Sequence, residues 1–165
     1  HASFAAAQLE SCSWVESQLE EANFAGATLL TCAVASGGTL ARANFSGAHL
    51  KQSNLRQAVL TGAHFTRARL NNSDLSEAQC EAADFSGATL TGSMFIRTDF
   101  RRARLNEANL MGAMLQKSRL EGADLSFANL FRADLSQSFT SETTQLQGAY
   151  TKRVKTLPKR DGEVI

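Results

Sequence analysis

Three histidines, His1, His49 and His64, are the side chains best suited to metal binding or acid–base catalysis near neutral pH. Either chemistry requires them to lie close to each other or to carboxylates and thiolates. The histidines belong to no zinc-spaced Cys/His cluster, and the sequence has no nucleophile elbow and no phosphate-binding loop. We therefore predict no catalytic residue, no metal ligand, no cofactor and no enzyme activity.

Cysteine is the other residue type that could react. Cys12, Cys32 and Cys80 are too few for a disulfide scaffold, and an odd number leaves at least one thiol unpaired. This count favours a reducing compartment, which predicts a cytoplasmic protein, with a secreted effector as the alternative. No apolar run is long enough to span a membrane and no signal peptide is visible.

A five-residue repeat organises the chain around these residues. When the sequence is written in fives from Ala2, the central residue of each unit is Leu or Phe except at Trp14, Val34 and Cys80. The series runs from Phe4 to Leu135 with one extra residue, Gly37. The residue two places before each centre is small, mostly Ala or Ser, and the other three positions take nearly every charge.

A period of five fits neither an α-helix nor a flat strand. Along a helix the Leu/Phe series would spiral around all sides, and along a strand it would alternate between the two faces. Both arrangements would leave apolar side chains in water. If the chain turns a corner every five residues, the centre and the small residue before it both point inward, and the predicted structure is an all-β solenoid.

The phenylalanines indicate how many corners close one coil. Phe45, Phe65 and Phe85 are 20 residues apart, and Phe4 and Phe24 join the same core column once Gly37 is treated as an insertion. We therefore predict about four pentapeptides per coil and nearly seven coils. His49 and His64 then fall on different faces, and Cys12 and Cys32 fall one coil apart within disulfide range. We interpret both thiols as small buried residues that replace Ala.

The tandem motif Ala-Asp/Asn-Leu/Phe resembles that of the pentapeptide-repeat proteins. It occurs in Ala22-Asn23-Phe24, Ala43-Asn44-Phe45, Ala108-Asn109-Leu110, Ala123-Asp124-Leu125 and Ala133-Asp134-Leu135. The resemblance covers residues 2–137 and implies a right-handed quadrilateral parallel β-helix. It implies little about function, because the family includes topoisomerase-protecting quinolone-resistance proteins, cyanobacterial proteins and secreted effector domains.

The two ends of the repeat predict the domain organisation. We assign residues 2–137 to the β-helix, with its interruption at Gly37, and residues 138–165 to a C-terminal cap and basic tail. Thr140 and Gln145 take the central positions in this last segment. A solenoid needs capped ends, and the repeat begins at Ala2 with none. We therefore expect a fragment of a larger protein, or a homodimer through the uncapped N-terminal end.

The charge pattern weighs against a nucleic-acid function. Residues 2–137 carry 13 acidic and 12 basic side chains, whereas a DNA mimic of this length would need on the order of 19 negative charges. Arg97, Arg101, Arg102, Arg104 and Arg119 are interleaved with Asp99, Glu107 and Glu121, which favours an ion-paired face. Topoisomerase binding through DNA mimicry, or direct nucleic-acid binding, remains the alternative function.

An apolar patch on the outside is the strongest functional signal. Met94 and Met114 share one outward column, Met111 and Phe131 share a neighbouring one, and Ile96 and Phe127 are expected nearby. Contiguous apolar patches mark contacts. The tail could cover this patch with Phe139, Leu146 or Tyr150, or the patch could bind a protein partner or a second copy. The sequence thus predicts a non-enzymatic protein-binding scaffold or accessory domain of unknown partner.

Overall fold

The computed structural model describes residues 2–14, 16–33 and 38–156, and the regular elements within these ranges are β-strands. Strand β1 (Gln8–Glu10) and strand β2 (Thr28–Leu30) pair in parallel, with Leu9 opposite Leu29. The rest of the described chain forms isolated parallel bridges at a regular spacing. The prediction of an all-β solenoid, a right-handed quadrilateral β-helix, is confirmed.

The bridges fall into four columns, which define four faces of the rod. Each column contains the outward-facing residue that precedes the central residue of a unit. Face 1 carries Ser3, Asn23, Asn44, His64, Asp84, Arg104, Asp124 and Gln145. Face 2 carries Gln8, Thr28, His49, Arg69, Thr89, Asn109, Asn129 and Tyr150. Face 3 carries Ser13, Ala33, Asn54, Asp74, Met94, Met114, Asp134 and Lys155. Face 4 carries Gln18, Thr39, Val59, Gln79, Asp99, Arg119 and Phe139.

The interior is a solid apolar core without layers. Among the described residues, central residues and the small residues before them are almost completely buried from Ala22 to Leu135, whereas the first coil is only partly buried. Five phenylalanine rings stack along one inner edge at centroid separations of 4.8, 4.7, 4.8 and 4.6 Å; they are Phe4, Phe24, Phe45, Phe65 and Phe85. This spacing matches the distance between neighbouring β-strands, so one ring per coil gives a continuous stack.

Each corner is a tight turn whose second residue has a left-handed backbone. The carbonyl oxygen of Phe45 accepts a hydrogen bond from the Ala48 N–H at 2.9 Å, and Gly47 between them has φ of +66°. Non-glycine residues occupy the same turn position at many corners, with φ between 52° and 62°. The Asn or Asp before the central residue caps the turn, as when Asp84 Oδ1 accepts the Ser86 N–H at 2.9 Å.

Serine and threonine replace alanine inside the rod because their hydroxyls find buried acceptors. Ser73 Oγ donates to the Leu50 carbonyl oxygen at 2.5 Å, and Thr98 Oγ1 donates to that of Leu75 at 2.8 Å. Cys32 uses the equivalent site, with Sγ 3.6 Å from the Leu9 carbonyl oxygen. Most small polar side chains at this position are therefore paired with the preceding coil. Ser138 Oγ donates instead to the Leu135 carbonyl oxygen of the preceding unit, and Ser118 Oγ is buried without a hydrogen-bond partner.

At the C-terminal end the ladder continues beyond residue 137, where the cap and basic tail were predicted to begin, and residues 157–165 of that predicted tail lie outside the described residues. The parallel ladder continues through Gln145, Tyr150 and Lys155, each bridged to a residue 21 positions earlier. One additional residue near Ser141 therefore shifts the register, and Gln145 faces outward where it was predicted to be central. Leu146 takes the inward position and packs against the core. The hydrophobic pattern of the sequence therefore weakens after Leu135 at a second inserted residue, and the ladder continues beyond it.

The register of the bridges shifts by one residue between the first and second coils. The predicted interruption at Gly37 lies outside the described residues, but the bridge spacing changes from 20 residues at Ser13–Ala33 to 21 at Gln18–Thr39. Within the described ranges, no helix has the length and apolar character that a bilayer crossing would require.

Candidate interaction surface

Four of the six predicted patch residues meet at the corner between faces 2 and 3. Met94 and Met114 are bridged neighbours in the column of face 3. Met111 and Phe131 lie one coil apart in the adjoining turn, where the Phe131 carbonyl oxygen accepts the Gly112 N–H at 2.9 Å. We call Met94, Met111, Met114 and Phe131 the methionine corner. Met111 is exposed and the other three side chains are half-buried.

The other two predicted patch residues lie apart from this corner. Ile96 follows the central residue of face 3 and lies at the corner with face 4, next to the turn of Glu77. Phe127 lies in the turn between faces 1 and 2, so the width of face 2 separates it from the methionine corner. The six residues therefore form no single patch, because turn positions on successive units are a full side of the rod apart.

The three residues proposed to cover the patch have three different environments. Phe139 is bridged to Arg119 on face 4, and Leu146 packs against the core. Only Tyr150 reaches the patch, where its ring stacks on Phe131 with 6.0 Å between centroids. Residues 138–156 thus extend the stack of coils, and they leave Met94 and Met114 uncovered by a folded-back segment.

The most exposed large apolar side chains share one side of the rod. Among the described residues these are Leu30 (37% exposed), Met111 (39%), Phe127 (62%) and Tyr150 (51%). Tyr150 is on face 2, Leu30 and Met111 are at its corner with face 3, and Phe127 is at its corner with face 1. The sequence named Tyr150 as a possible cover for the patch but did not place it on face 2, because a second insertion had to be located before its column could be assigned.

Ion pairs occupy the opposite side of the rod. On face 4 and its corner with face 1, Arg101 lies 2.6 Å from Asp99 and 3.6 Å from Glu81, and Arg102 also pairs with Glu81. The remaining pairs on this half of the rod are Arg42–Glu21, Arg56–Glu77, Arg104–Asp84 and Arg119–Glu121. The predicted ion-paired character is confirmed for four of the five arginines named, namely Arg101, Arg102, Arg104 and Arg119.

Three of the turn-capping aspartates have perturbed acidities. Burial acts to raise the pKa of Asp99, but the hydrogen bonds and charge of Arg101 outweigh it and the pKa is lowered. The same balance lowers the pKa of Asp84 through Ser86 and Arg104. Asp134 follows this pattern through Ser136. These aspartates are therefore ionised structural groups, which are unsuited to proton transfer near neutral pH.

The bases of face 2 lack such partners. We define the basic strip as six residues on face 2 and its two corners: Lys51, Arg67, Arg69, Arg132, Lys152 and Arg153. Every ion pair of the described residues lies elsewhere. From Lys51 to Thr156 the only acid on this side is Glu107, one coil before Phe127. Arg132 and Arg153 instead lie against the Phe131 ring, at 5.1 and 6.0 Å from its centroid.

The reactive residues singled out in the sequence do not assemble. His49 lies on face 2 and His64 on face 1, and the described residues contain no group of three metal-binding side chains. Cys12, Cys32 and Cys80 are free thiols, and burial raises the pKa of Cys32 and of Cys80. A cavity of about 250 Å³ lies at the C-terminal end of the core, with walls formed by Leu, Thr and Val.

The fold and its surfaces define a parallel β-solenoid built from five-residue units. A family model described as pentapeptide repeats, in 8 copies, matches residues 2–32, 40–76, 73–112 and 108–139. These ranges cover most of the chain, which therefore belongs to the pentapeptide repeat family. Proteins of this family are generally structural or binding proteins. A comparison with curated proteins found no match.

Solved structures of the same family resemble this chain over most of its length. HetL, a pentapeptide repeat protein involved in heterocyst differentiation regulation from the cyanobacterium Nostoc sp. strain PCC 7120, is 25% identical with a TM-score of 0.51, and the match covers 99% of this chain and 87% of HetL. A pentapeptide repeat protein from the Arabidopsis thaliana thylakoid lumen is 32% identical over 68% of each chain, with a TM-score of 0.34. QnrB1, a plasmid-mediated fluoroquinolone resistance protein, is 19% identical with a TM-score of 0.49, over 90% of this chain and 88% of QnrB1.

Proposed function

We propose that this protein is a non-enzymatic binding rod that recognises a protein partner through the methionine corner. The observation that carries the proposal is the pairing of Met94 with Met114 beside the Met111–Phe131 turn column. Outward positions elsewhere on the rod are mainly polar or charged, so four large apolar side chains in two adjoining columns form a distinct surface.

Methionine suits such a surface for a physical reason. Its unbranched thioether side chain adapts to the shape of a partner, and methionine and aromatic residues are enriched at protein interfaces. The backbone beneath the corner is held by the ladder, as when Met94 N–H donates to the Ser73 carbonyl oxygen at 3.0 Å. A rigid backbone that carries adaptable side chains loses little conformational entropy when a partner binds.

The interior and the cavity support a role without catalysis. The rod is filled by Leu, Phe and Ala, and the cavity at the C-terminal end of the core is lined by apolar and threonine side chains without a titratable group. A catalytic site needs convergent polar groups within a pocket. The free thiols of Cys12 and Cys32 are compatible with a reducing, cytoplasmic compartment, which we propose on the same basis.

Topoisomerase binding through DNA mimicry is the weaker alternative. A mimic needs a dense acidic surface, whereas Asp84, Asp99, Glu81 and Glu121 each lie within 4 Å of an arginine side chain. A gyrase supercoiling assay with micromolar protein separates the two functions. Inhibition of supercoiling would favour the mimic, and unchanged supercoiling is expected for the binding rod.

Site-specific photo-crosslinking in the source cell tests the proposed partner contact. A benzoylphenylalanine placed at Met114 should give one reproducible protein adduct, because this position lies at the centre of the methionine corner. The same probe at Gln79, an exposed mid-face position on face 4, is the matched control and should give none.

A double variant provides the second measurement. Met114→Ser with Phe131→Ser should abolish the association, as measured by pulldown of the crosslinked partner or by light scattering if the partner is a second copy. Both substitutions are at half-buried outward positions, so the core is retained. Association that persists in this variant, with an unchanged melting temperature, would rule out the methionine corner as the contact.

A further inference from the structure

Beyond the protein contact proposed above, we propose that the basic strip, together with the rings of Phe127, Tyr150 and Phe131, binds single-stranded nucleic acid. Within the described residues, this side of the rod combines cations that form no ion pair with exposed aromatic side chains on the seventh and eighth coils. Proteins that bind single strands use these two elements: positive charge along the phosphates, and flat rings on which bases stack.

The cations of the basic strip lie in two groups along face 2, away from the ion pairs of the rod. Lys51, Arg67 and Arg69 lie on the third and fourth coils, and Arg132, Lys152 and Arg153 lie on the seventh and eighth. At the strand spacing of about 4.8 Å, five steps along the rod place the two groups within about 24 Å of each other. A polyanion that runs along face 2 would meet both groups without passing an ion pair.

The aromatic part of the surface crosses the width of face 2. Phe127 is at one corner, Tyr150 is in the middle of the face, and Phe131 is at the other corner against Tyr150. Gly148 leaves room for the Phe127 ring, because a Cβ at position 148 would lie 2.5 Å from Phe127 Cδ1. Two of these rings, Phe127 and Tyr150, have more than half of their surface exposed and available for stacking.

Phe127 has an unfavourable backbone conformation, and its side chain contributes little buried surface to the fold. Its φ of 59° places a bulky residue in the left-handed region, where glycine occupies positions 26, 47, 87 and 148 of the same corner. Its ring is 62% exposed, so burial in the core does not offset this strain. A ligand that stacks on the ring would bury apolar surface that the fold leaves in water.

The shape of the surface selects a narrow, extended ligand. Three extended residues span one face, so face 2 is about 10 Å wide. A strip of about 10 by 24 Å is well below the roughly 800 Å² that a globular partner usually buries on each side. Tyr150 and Asn129 have their backbone groups in the ladder, so the face offers no open strand edge to a peptide.

Fluorescence anisotropy with labelled dT20 and U20 tests this inference on the whole chain. We expect micromolar binding of at least one oligonucleotide at about 50 mM salt, with affinity that falls on addition of salt because bound cations are released. Phe127→Ala and Tyr150→Ala should each weaken binding about fivefold or more, as expected for loss of a stacking ring.

Charge variants supply a matched control. Arg132→Gln with Arg153→Gln removes two stacked turn cations from the strip and should lower the slope of log affinity against log salt by about 1.4. Arg97→Gln with Lys117→Gln removes two cations from the same turn position at the corner of faces 3 and 4 and should leave binding unchanged. Glu107→Gln removes the acid beside Phe127 and should strengthen binding.

Three outcomes would overturn the inference. The first is no change in anisotropy with either oligonucleotide at 100 μM protein. The second is equal or tighter binding of a 20-residue polyglutamate or of duplex DNA, which would assign the strip to an acidic protein or to nonspecific attraction. The third is an equal loss in the Arg97/Lys117 control. The crosslink at Met114 does not depend on any of these results, so this inference and the proposed protein contact can fail separately.

Discussion

Face 4 and face 2 cover the same core, but their charged side chains differ in whether they form ion pairs. On face 4 each mid-face charge has a partner, as in Asp99 with Arg101 and Arg119 with Glu121. On face 2 and its corners the described bases form no ion pair, and Arg132 and Arg153 lie against the Phe131 ring. Because the two faces share one backbone ladder, the difference concerns what each face can bind and has little bearing on how the rod is held together.

Substitution in the shared core should have the largest effect. Phe65 lies between Phe45 and Phe85 in the ring stack and is fully buried. Phe65→Ala leaves a cavity and should lower the free energy of unfolding by about 3–5 kcal/mol, measured by chemical denaturation. Phe65→Leu is the control, because leucine fills this column at positions 105 and 125. A loss below about 1 kcal/mol in the alanine variant would contradict a rod stabilised by its interior.

Most of the fold could be predicted because its signal repeats in every unit. Leu or Phe at each centre and Ala or Ser two places earlier determine which side chains are inside, and the structure has the same positions buried from Ala22 to Leu135. The error near Ser141 arose where polar residues replace leucine. Thr140 and Thr151 give no hydrophobic signal, so one inserted residue was indistinguishable from the end of the repeat.

The surface could be predicted only in part, because the repeat constrains the inside alone. The columns can be assigned from the sequence, which correctly predicted that Met94 shares a column with Met114 and Met111 with Phe131. Whether an arginine is paired depends on rotamers and on neighbours one coil away, as for Arg101 with Glu81. The pattern predicted an ion-paired face without identifying which face it was, and gave no indication that the bases of face 2 would lack ion pairs.

Lowering the pH should destabilise the rod, because protonation of Asp99 removes its ion pair with Arg101 on face 4. The pKa of Asp99 is lowered in the folded protein, where Arg101 donates to its carboxylate, so ionised Asp99 stabilises the fold above the unfolded pKa of about 4. That stability is lost as pH falls through the lower folded value. Wild-type melting temperature should therefore drop more between pH 5 and pH 2 than that of Asp99→Asn.

The asparagine variant is a suitable comparison because it keeps the turn cap. Asn109 and Asn129 accept the same backbone hydrogen bond with an amide oxygen on face 2, at 3.2 and 3.1 Å. The substitution Asp99→Asn thus removes the charge and preserves the acceptor. Equal acid sensitivity in the two proteins would mean that the Asp99–Arg101 pair does not couple folding to pH.

The smallest effect should come from single arginines, and it should differ between the two faces. Arg101→Ala removes a pair with Asp99 whose side chains are 36% and 20% exposed, and should lower the free energy of unfolding slightly, because solvent screens exposed ion pairs. Arg69→Ala on face 2 removes a base without an ion pair and should leave the free energy of unfolding within about 0.3 kcal/mol of wild type. A double-mutant cycle of Arg101 with Asp99 isolates the pair from other contacts. If Arg69→Ala destabilised the rod as much as Arg101→Ala, face 2 would contain stabilising contacts of its own, and its cations would be committed to the fold instead of being free for a ligand.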